Sequence, residues 1–272
     1  MNFLFWNVNG NSNKDKETDI NELLKEIIIE NKCDIIALAE YNNDINLLLK
    51  KLEKEGYNFY ESQSIACTKI KVITNIIPQK INTIQDETRY TIKVIPIDND
   101  KIKFLNVVFV HLPDKKNSND YTRLHQITKI KSNLEEIENN LDNWNSIIVG
   151  DFNMNPFETN MVSFLGMNSL NSRKLVKRTP YKIVDKYKHY RFYNPMWNLL
   201  GDNNSPEGTY YYNNSDHCWN ILDQVVIRPS LIEFFDLKNL KIISSVNKKS
   251  LLSKNGLPDK QISDHLPLFF II

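Results

Sequence analysis

The sequence predicts an α/β fold in one domain, residues 1–272, and three observations carry that expectation. Apolar runs of strand length alternate with segments whose apolar residues recur at helical spacing. The longest helical segment leads directly into another apolar run. A chain of 272 residues with 41% hydrophobic side chains is also long enough to bury a substantial core. Residues 3 to 8 are nearly continuous apolar chain, as a central strand covered on both faces requires. Ile20, Leu23, Leu24, Ile27 and Ile28 follow the helical repeat, with Thr18 or Asp19 to cap its start. Asp34 to Glu40 reads as a second strand. Ile45, Leu48, Leu49 and Leu52 mark a second helix, which Gly56 should stop. Strands are expected at 57–62, 65–74, 89–97 and 101–112, the last one carrying His111 near its end. Leu124, Ile127, Ile130, Leu134, Ile137 and Leu141 mark the longest helix, and the run Ile147-Ile148-Val149 after it delivers Asp151. Between 154 and 208, Pro156, Pro180, Pro195 and Pro206 interrupt any long element, so a loop-rich rim of the site is expected there. Strands resume at 210–212, 219–227 and 239–246, and the chain closes on Leu266 to Ile272.

Composition narrows the function classes. A formal net charge of +1 leaves no global electrostatic footprint, so any affinity for nucleic acid must be local. Cys33, Cys67 and Cys218 are widely spaced, which excludes a disulfide framework and a zinc-finger pattern and suits a reducing compartment. No basic leader precedes Phe3 and no apolar stretch approaches about 18 residues, so no membrane span and a cytoplasmic location are expected. No repeat or linker points to an obligate protein partner, and a monomer is the expectation. Glycine is scarce, at 7 residues, which makes Gly10 and Gly150 inside polar phrases candidates for close backbone approach.

Polar groups stand where apolar runs end: Asn7 in WNVNG, Glu40 in LAEY, His111 in VHLP, Asp151 and Asn153 in VGDFN, Asp223 in ILDQVV, and Asp264 with His265 in SDHLP. Cleaving a phosphodiester requires a cation to neutralise developing charge, a group to position water and a proton donor for the leaving oxygen. Asp151 and Asn153, two apart in extended chain, can face one side, one holding water and the other a phosphate oxygen. Asp223 in an apolar strand is costly alone, and His265 is the partner that would relieve it and be held in one tautomer. Glu40 is a hard oxygen ligand of the kind Mg²⁺ prefers, and carboxylates without Cys₂His₂ spacing argue against zinc. Taken singly, each phrase has a plainer reading: Asp-Phe-Asn is a turn signal, Glu40 a solvated strand end, His111 a satisfied buried group. Arg89 and Arg123 could touch phosphate. From 173 to 191, eight basic residues including Arg173, Lys174, Lys177 and Arg178 face one acid, Asp185, with Tyr181, Tyr187 and Tyr190 interleaved. Cations that release phosphate counterions beside rings that stack on bases point to nucleic acid.

The six phrases, in this order from residue 6 to 267, resemble the ordered motifs of the endonuclease/exonuclease/phosphatase superfamily, which includes deoxyribonuclease I, exonuclease III, AP endonucleases, neutral sphingomyelinases and inositol polyphosphate 5-phosphatases. The resemblance implies a four-layer sandwich, two packed mixed β-sheets flanked by helices. It also implies a Mg²⁺- or Mn²⁺-dependent phosphoesterase with its site at one end of the sheets. On the matching positions it implies Glu40 as the principal metal ligand, with Asn7 and Asp264 beside it. Asp151 would position or deprotonate the attacking water, and Asn153 would bind that water or the phosphate. His265, oriented by Asp223, would act as general base or contact the phosphate, and His111 would protonate the leaving group or bind phosphate. Asn9 departs from the acidic residue that many AP endonucleases carry there, and those enzymes generally replace the histidine at position 111, so a specialised abasic-site activity is not expected. The expected function is hydrolysis of nucleic acid, by a DNA endonuclease or exonuclease. The alternative is a phosphatase or phospholipase C-like hydrolase of inositol phosphates or sphingomyelin. A third is a silent binding module of the same fold, whose mark would be loss of Glu40, Asp151, Asn153, Asp223 or His265; none is lost.

Overall fold

In the computed structural model, which describes residues 1–9, 19–201 and 204–272, the strands fall into two large sheets. In chain order the elements are β1 (Asn2–Asn7), α1 (Ile20–Glu30), β2 (Ile35–Ala39), α2 (Ile45–Lys54), β3 (Tyr60–Glu61), β4 (Ile70–Thr74), β5 (Asn82–Glu87), β6 (Tyr90–Pro96), β7 (Phe104–His111), α3 (Asp120–Asn140) and β8 (Ser146–Asp151). Then come α4 (Thr159–Val162), β9 (Ser169–Leu170), α5 (Arg173–Arg178), the hairpin β10 (Tyr181–Val184) and β11 (Tyr187–Tyr190), and β12 (Phe192–Tyr193). The chain ends with β13 (Tyr210–Tyr211), β14 (Trp219–Asn220), β15 (Asp223–Ile227), β16 (Lys241–Ile242), β17 (Ser245–Val246), β18 (Lys249–Ser250) and β19 (Leu268–Ile271).

One sheet has the order β16-β19-β1-β2-β4-β3 and the other β5-β6-β7-β8-β15-β12-β9. Period-two alternation decides which side chains go where. Phe3 and Phe5 of β1 and Ile35 and Ala37 of β2 meet Val107, Phe109, Ile147, Val149 and Val225 of the other sheet in a shared core. The alternate residues Leu4, Trp6, Ile36 and Leu38 pack beneath α1 and α2. Val108, Val110, Ile148 and Val226 pack beneath Ile127, Ile130 and Leu134 of α3. The result is the four-layer sandwich, helix–sheet–sheet–helix. Among the described residues no helix is long and apolar enough to cross a membrane.

Each sheet contains a parallel pair joined through a helix, β1-α1-β2 and β7-α3-β8. Parallel pairing sends both strands of each pair to the same edge, where Asn7, Glu40, His111 and Asp151 stand at or just past the strand ends. In open α/β sheets ligands bind outside these carboxyl ends.

Several boundaries depart from the sequence reading. β5, with the sequence NTIQDE, is polar and exposed and carries no apolar run to announce it; it is an edge strand held by pairing to β6. Residues 65–69 are loop rather than strand, and 219–227 breaks into β14 and β15 at Ile221-Leu222. The expected strand at 239–246 is two short pieces, β16 and β17. Asp19 caps α1 by accepting from the backbone N–H of Asn21 and Glu22; Thr18 and Gly10 lie outside the described residues.

Candidate active site

Glu40 leaves β2 in the left-handed region, at φ 52°, a conformation that costs a residue with a Cβ about 1–2 kcal/mol and persists where the surroundings fix it. Its carboxylate crosses to the second sheet, 3.4 Å from Nε2 of His111. The same nitrogen lies 3.8 Å from Oδ2 of Asp151. Asp151 is 1% exposed; its Oδ2 accepts from Nδ2 of Asn7 at 3.1 Å, a bond that joins β1 to β8. Gly150 makes this position possible: a Cβ there would stand 1.9 Å from the carbonyl oxygen of Val110 on the neighbouring strand.

Asp151 Oδ1 accepts from the backbone N–H of Asn153 at 2.8 Å, closing a turn in which Asn153 is itself left-handed, at φ 52°. Asn153 Nδ2 donates to the carbonyl of Leu112. The turn reading and the site reading of Asp-Phe-Asn therefore hold together: the turn is what sets the carboxylate.

Asp223 pairs in register with Asp151 across the β15–β8 ladder. It is fully buried, and its Oδ2 lies 2.8 Å from Nδ1 of His265. The backbone around this pair is locked. Thr209 Oγ1 accepts from the N–H of both Leu222 and Asp223 at 3.1 Å. Trp6 Nε1 donates to the His265 carbonyl at 2.9 Å, and the Tyr210 ring packs on the imidazole with centroids 4.6 Å apart. Thr209 and Tyr210 escaped the sequence reading because both sit in a run that looks like ordinary strand.

Burial alone would lower the His265 imidazole, but the Asp223 carboxylate, helped by Asp151 and Asp264, overrides it and holds it up to about 10. Burial pushes the Asp223 carboxyl above its ordinary range. At neutral pH the proton sits on His265, and Asp223 is the carboxylate that keeps it there. His111 goes the other way: burial lowers it despite Asp151 and Glu40.

One ligand atom from each of Asp151, Asp223 and His265 lies within 4.8 Å of the others. Because His265 Nδ1 is committed to Asp223, the donors suited to a cation are the oxygens: the Glu40 carboxylate, whose only ion-pair partner among the described residues is His111, with Asn7 and Asp264 nearby. Asn7 Oδ1 accepts from the N–H of Asn9, and Asp264 Oδ1 accepts from Nδ2 of Asn9 at 2.7 Å. Carboxylates and an amide form a hard donor set that fits Mg²⁺ or Mn²⁺.

Of the expected phosphate-binding cations, Arg89 lies beside the site, with Nη1 3.3 Å from the His111 carbonyl. Arg123 does not serve a ligand: it is buried, donates to the Ser118 carbonyl and hydroxyl, and pairs with Asp120, stapling the loop before α3. Arg173, Lys174, Lys177 and Arg178 are also not at the site. They form α5, where Arg173 donates to the carbonyl of Ile232 at 2.6 Å and Lys177 pairs with Glu233. Because β15 runs antiparallel to β8, residues past Ile227 are at the end of the sheet away from Asp151.

The family model described as Endonuclease/Exonuclease/phosphatase family matches residues 4–265. No curated protein sequence matches the chain. Among solved structures, a 3′ phosphatase from Neisseria, NExo, bound to a product DNA hairpin is 12% identical over 99% of this chain and 98% of its own, with a TM-score of 0.56. An endonuclease/exonuclease/phosphatase family protein from Leptotrichia buccalis is 17% identical over 99% and 98%, with a TM-score of 0.56. An AP endonuclease from Archaeoglobus fulgidus is 13% identical over 100% and 99%, with a TM-score of 0.55. At these identities the likeness speaks for the fold, and the match over residues 4–265 speaks for the family: the chain belongs to the endonuclease/exonuclease/phosphatase family of phosphoester hydrolases.

Proposed function

We propose that the protein is a divalent-metal-dependent phosphodiesterase that hydrolyses nucleic acid, a DNA endonuclease or exonuclease. One observation carries the reading: a line of side chains from Glu40 through His111 and Asp151 to Asp223 and His265, each with a polar atom within 4.8 Å of the next, spans both sheets at one edge. Oxygen donors, a buried carboxylate and a protonated imidazole thus share one mouth, the set that in-line displacement at phosphorus needs. Glu40, with Asn7 and Asp264, would hold Mg²⁺ or Mn²⁺. The bound cation supplies charge neutralisation on the phosphoryl oxygens. Asp151 orients the attacking water, its second oxygen tied by Asn7 and its first by the Asn153 turn. His265, kept protonated by Asp223, presents Nε2 as a donor to a phosphoryl oxygen, a role that suits a raised imidazole better than that of general base. His111 binds phosphate beside Arg89. The neighbours from Neisseria and Archaeoglobus fulgidus, described as a 3′ phosphatase with product DNA and an AP endonuclease, favour a DNA substrate over other esters.

The test is to offer the purified protein, with Mg²⁺ or Mn²⁺, supercoiled plasmid, single-stranded DNA, RNA, abasic duplex, inositol phosphates and sphingomyelin in parallel, with Asp151→Asn as the control. Nucleotide or nicked-plasmid products that vanish in the control are expected. Turnover confined to inositol phosphates or sphingomyelin would overturn the nuclease reading in favour of the small-substrate one, which the absence of the basic stretch from the mouth favours.

A further inference from the structure

The basic stretch from 173 to 191 is the strongest concentration of charge in the sequence, and the active-site edge makes no use of it. Its eight cations and one acid give a local charge of +7; against +1 for the whole chain, the remaining residues sum to −6. The basic stretch lies at the other end of the second sheet. From Asp223 to Ile227 the strand advances four residues, about 13 Å at the usual rise, and beyond it α5 docks on Ile232 and Glu233.

Arg173 and Lys177 spend their donors there on structure. Lys174, Arg178, Lys182, Lys186 and Lys188 are exposed and have no carboxylate partner among the described residues. The β10–β11 register puts Lys188 on the same face as Tyr181 and Tyr190, with its ammonium 4.8 Å from the Tyr181 ring centre, while Lys182 is on the opposite face, its ammonium 4.7 Å from the centre of the Phe164 ring. Next to that face opens a cleft of about 210 Å³ between Trp144, Tyr190, Pro180 and Pro229. The Trp144 and Tyr190 rings are 4.4 Å apart, centre to centre, so they pack on each other and together make one wall of the cleft. Arg228 lies beneath them, its guanidinium held by both oxygens of Glu138 at 2.7 Å. The floor of the cleft is thus already neutralised and one wall is aromatic, which offers a face to a flat uncharged ring, while the phosphates fall to the lysines outside. At about 210 Å³ the space is below the roughly 300 Å³ of the smallest pockets that enclose drug-sized ligands, so it takes one base or sugar and not a whole nucleotide.

We propose that this end of the sheet is a second contact surface for the nucleic-acid chain, with the hairpin lysines holding phosphates and the Trp144–Tyr190 cleft taking one ring. The inference rests on the nuclease reading for its ligand, and its test is a binding measurement that needs no hydrolysis. The full chain in EDTA is titrated with a labelled single-stranded 30-mer across 50–200 mM salt. Substituting Lys186 and Lys188 by Gln together should lower the slope of log affinity against log salt by about 1.4, at about 0.7 per phosphate contact. Trp144→Ala should weaken binding about tenfold, within the range for one stacked base, with the slope unchanged. Metal-dependent hydrolysis of bis(p-nitrophenyl) phosphate should stay at the wild-type rate in the lysine variant. An unchanged salt slope in that variant would overturn the proposal. So would binding to phosphatidylserine vesicles that the two substitutions abolish while oligonucleotide binding persists, since a lipid surface uses the lysines and leaves the cleft idle. A wild-type protein that binds the 30-mer through this surface but cuts no nucleic acid would sink the nuclease reading alone.

Discussion

Replacing Asp223 by Asn removes a charge without changing the size of the side chain, and the consequence can be worked from the buried pair. The Asp223 carboxylate is the main influence that holds His265 up to about 10 against burial. The ordinary value is 6.5, so with the carboxylate in place the imidazolium is the favoured form throughout the neutral range. Without the carboxylate the imidazole returns towards 6.5 or below. By pH 7.5 only about one-tenth of it would carry a proton, and by pH 8.5 about one-hundredth. If the imidazolium contacts the phosphate, the wild-type rate stays flat from pH 7 to 9 and falls only as pH nears 10. The Asp223→Asn rate is lower by at least about tenfold at pH 7.5 and declines a further tenfold per pH unit. The assay is kcat against pH on whichever ester the substrate panel identifies, beside an NMR titration of the His265 ring in both proteins. A variant with wild-type rate and a flat profile to pH 9 would refute the claim that a protonated His265 is required.

Two further perturbations test separate parts of the site. Glu40→Gln should weaken Mn²⁺ binding by about tenfold or more, as read by calorimetry, while the thermal melt of the metal-free protein stays within a degree or two; unchanged affinity would remove Glu40 from the cation site. Gly150→Ala puts a methyl group 1.9 Å from the Val110 carbonyl oxygen, so β7 and β8 must separate. A loss of about 3 kcal/mol in urea unfolding is expected, and wild-type stability would contradict the strand spacing.

The central strands were legible because burial on both faces demands continuous apolar chain: the runs at 3–8, 34–40 and 147–149 became β1, β2 and β8. Period 3.6 identified α1, α2 and α3 for the same reason, since each lays one apolar face on a sheet. β5 was invisible because an edge strand with both faces wet carries no pattern to read; its pairing to β6 is the whole of its reason. The polar residues of the site were legible one by one as strand ends, and their convergence was not. It follows from pairing: two parallel crossovers deliver four polar groups to one edge, and the antiparallel β15 and β19 bring Asp223 and His265 to it from the opposite direction.

The same antiparallel step explains the one large error of placement. Arg173, Lys174, Lys177 and Arg178 lie between the Asp151 and Asp223 motifs in sequence, and nearness along the chain suggested nearness in space. Between those motifs, however, the chain travels the length of the second sheet and returns along β15, so its midpoint is at the far end. Arg123 misled for a different reason. It follows the His111 loop in sequence, but the Ser118 carbonyl, the Ser118 hydroxyl and the Asp120 carboxylate accept from its guanidinium. A basic residue near a site motif becomes a ligand-binding residue only when the backbone around it needs no staple. Arg89 meets that condition better: its guanidinium leans on a single carbonyl, that of His111, and its charge remains directed at the mouth. In the proposed reading, a phosphate at this edge would be met by Arg89 and the two histidines, and a long polyanion would draw its remaining cations from the far end of the sheet.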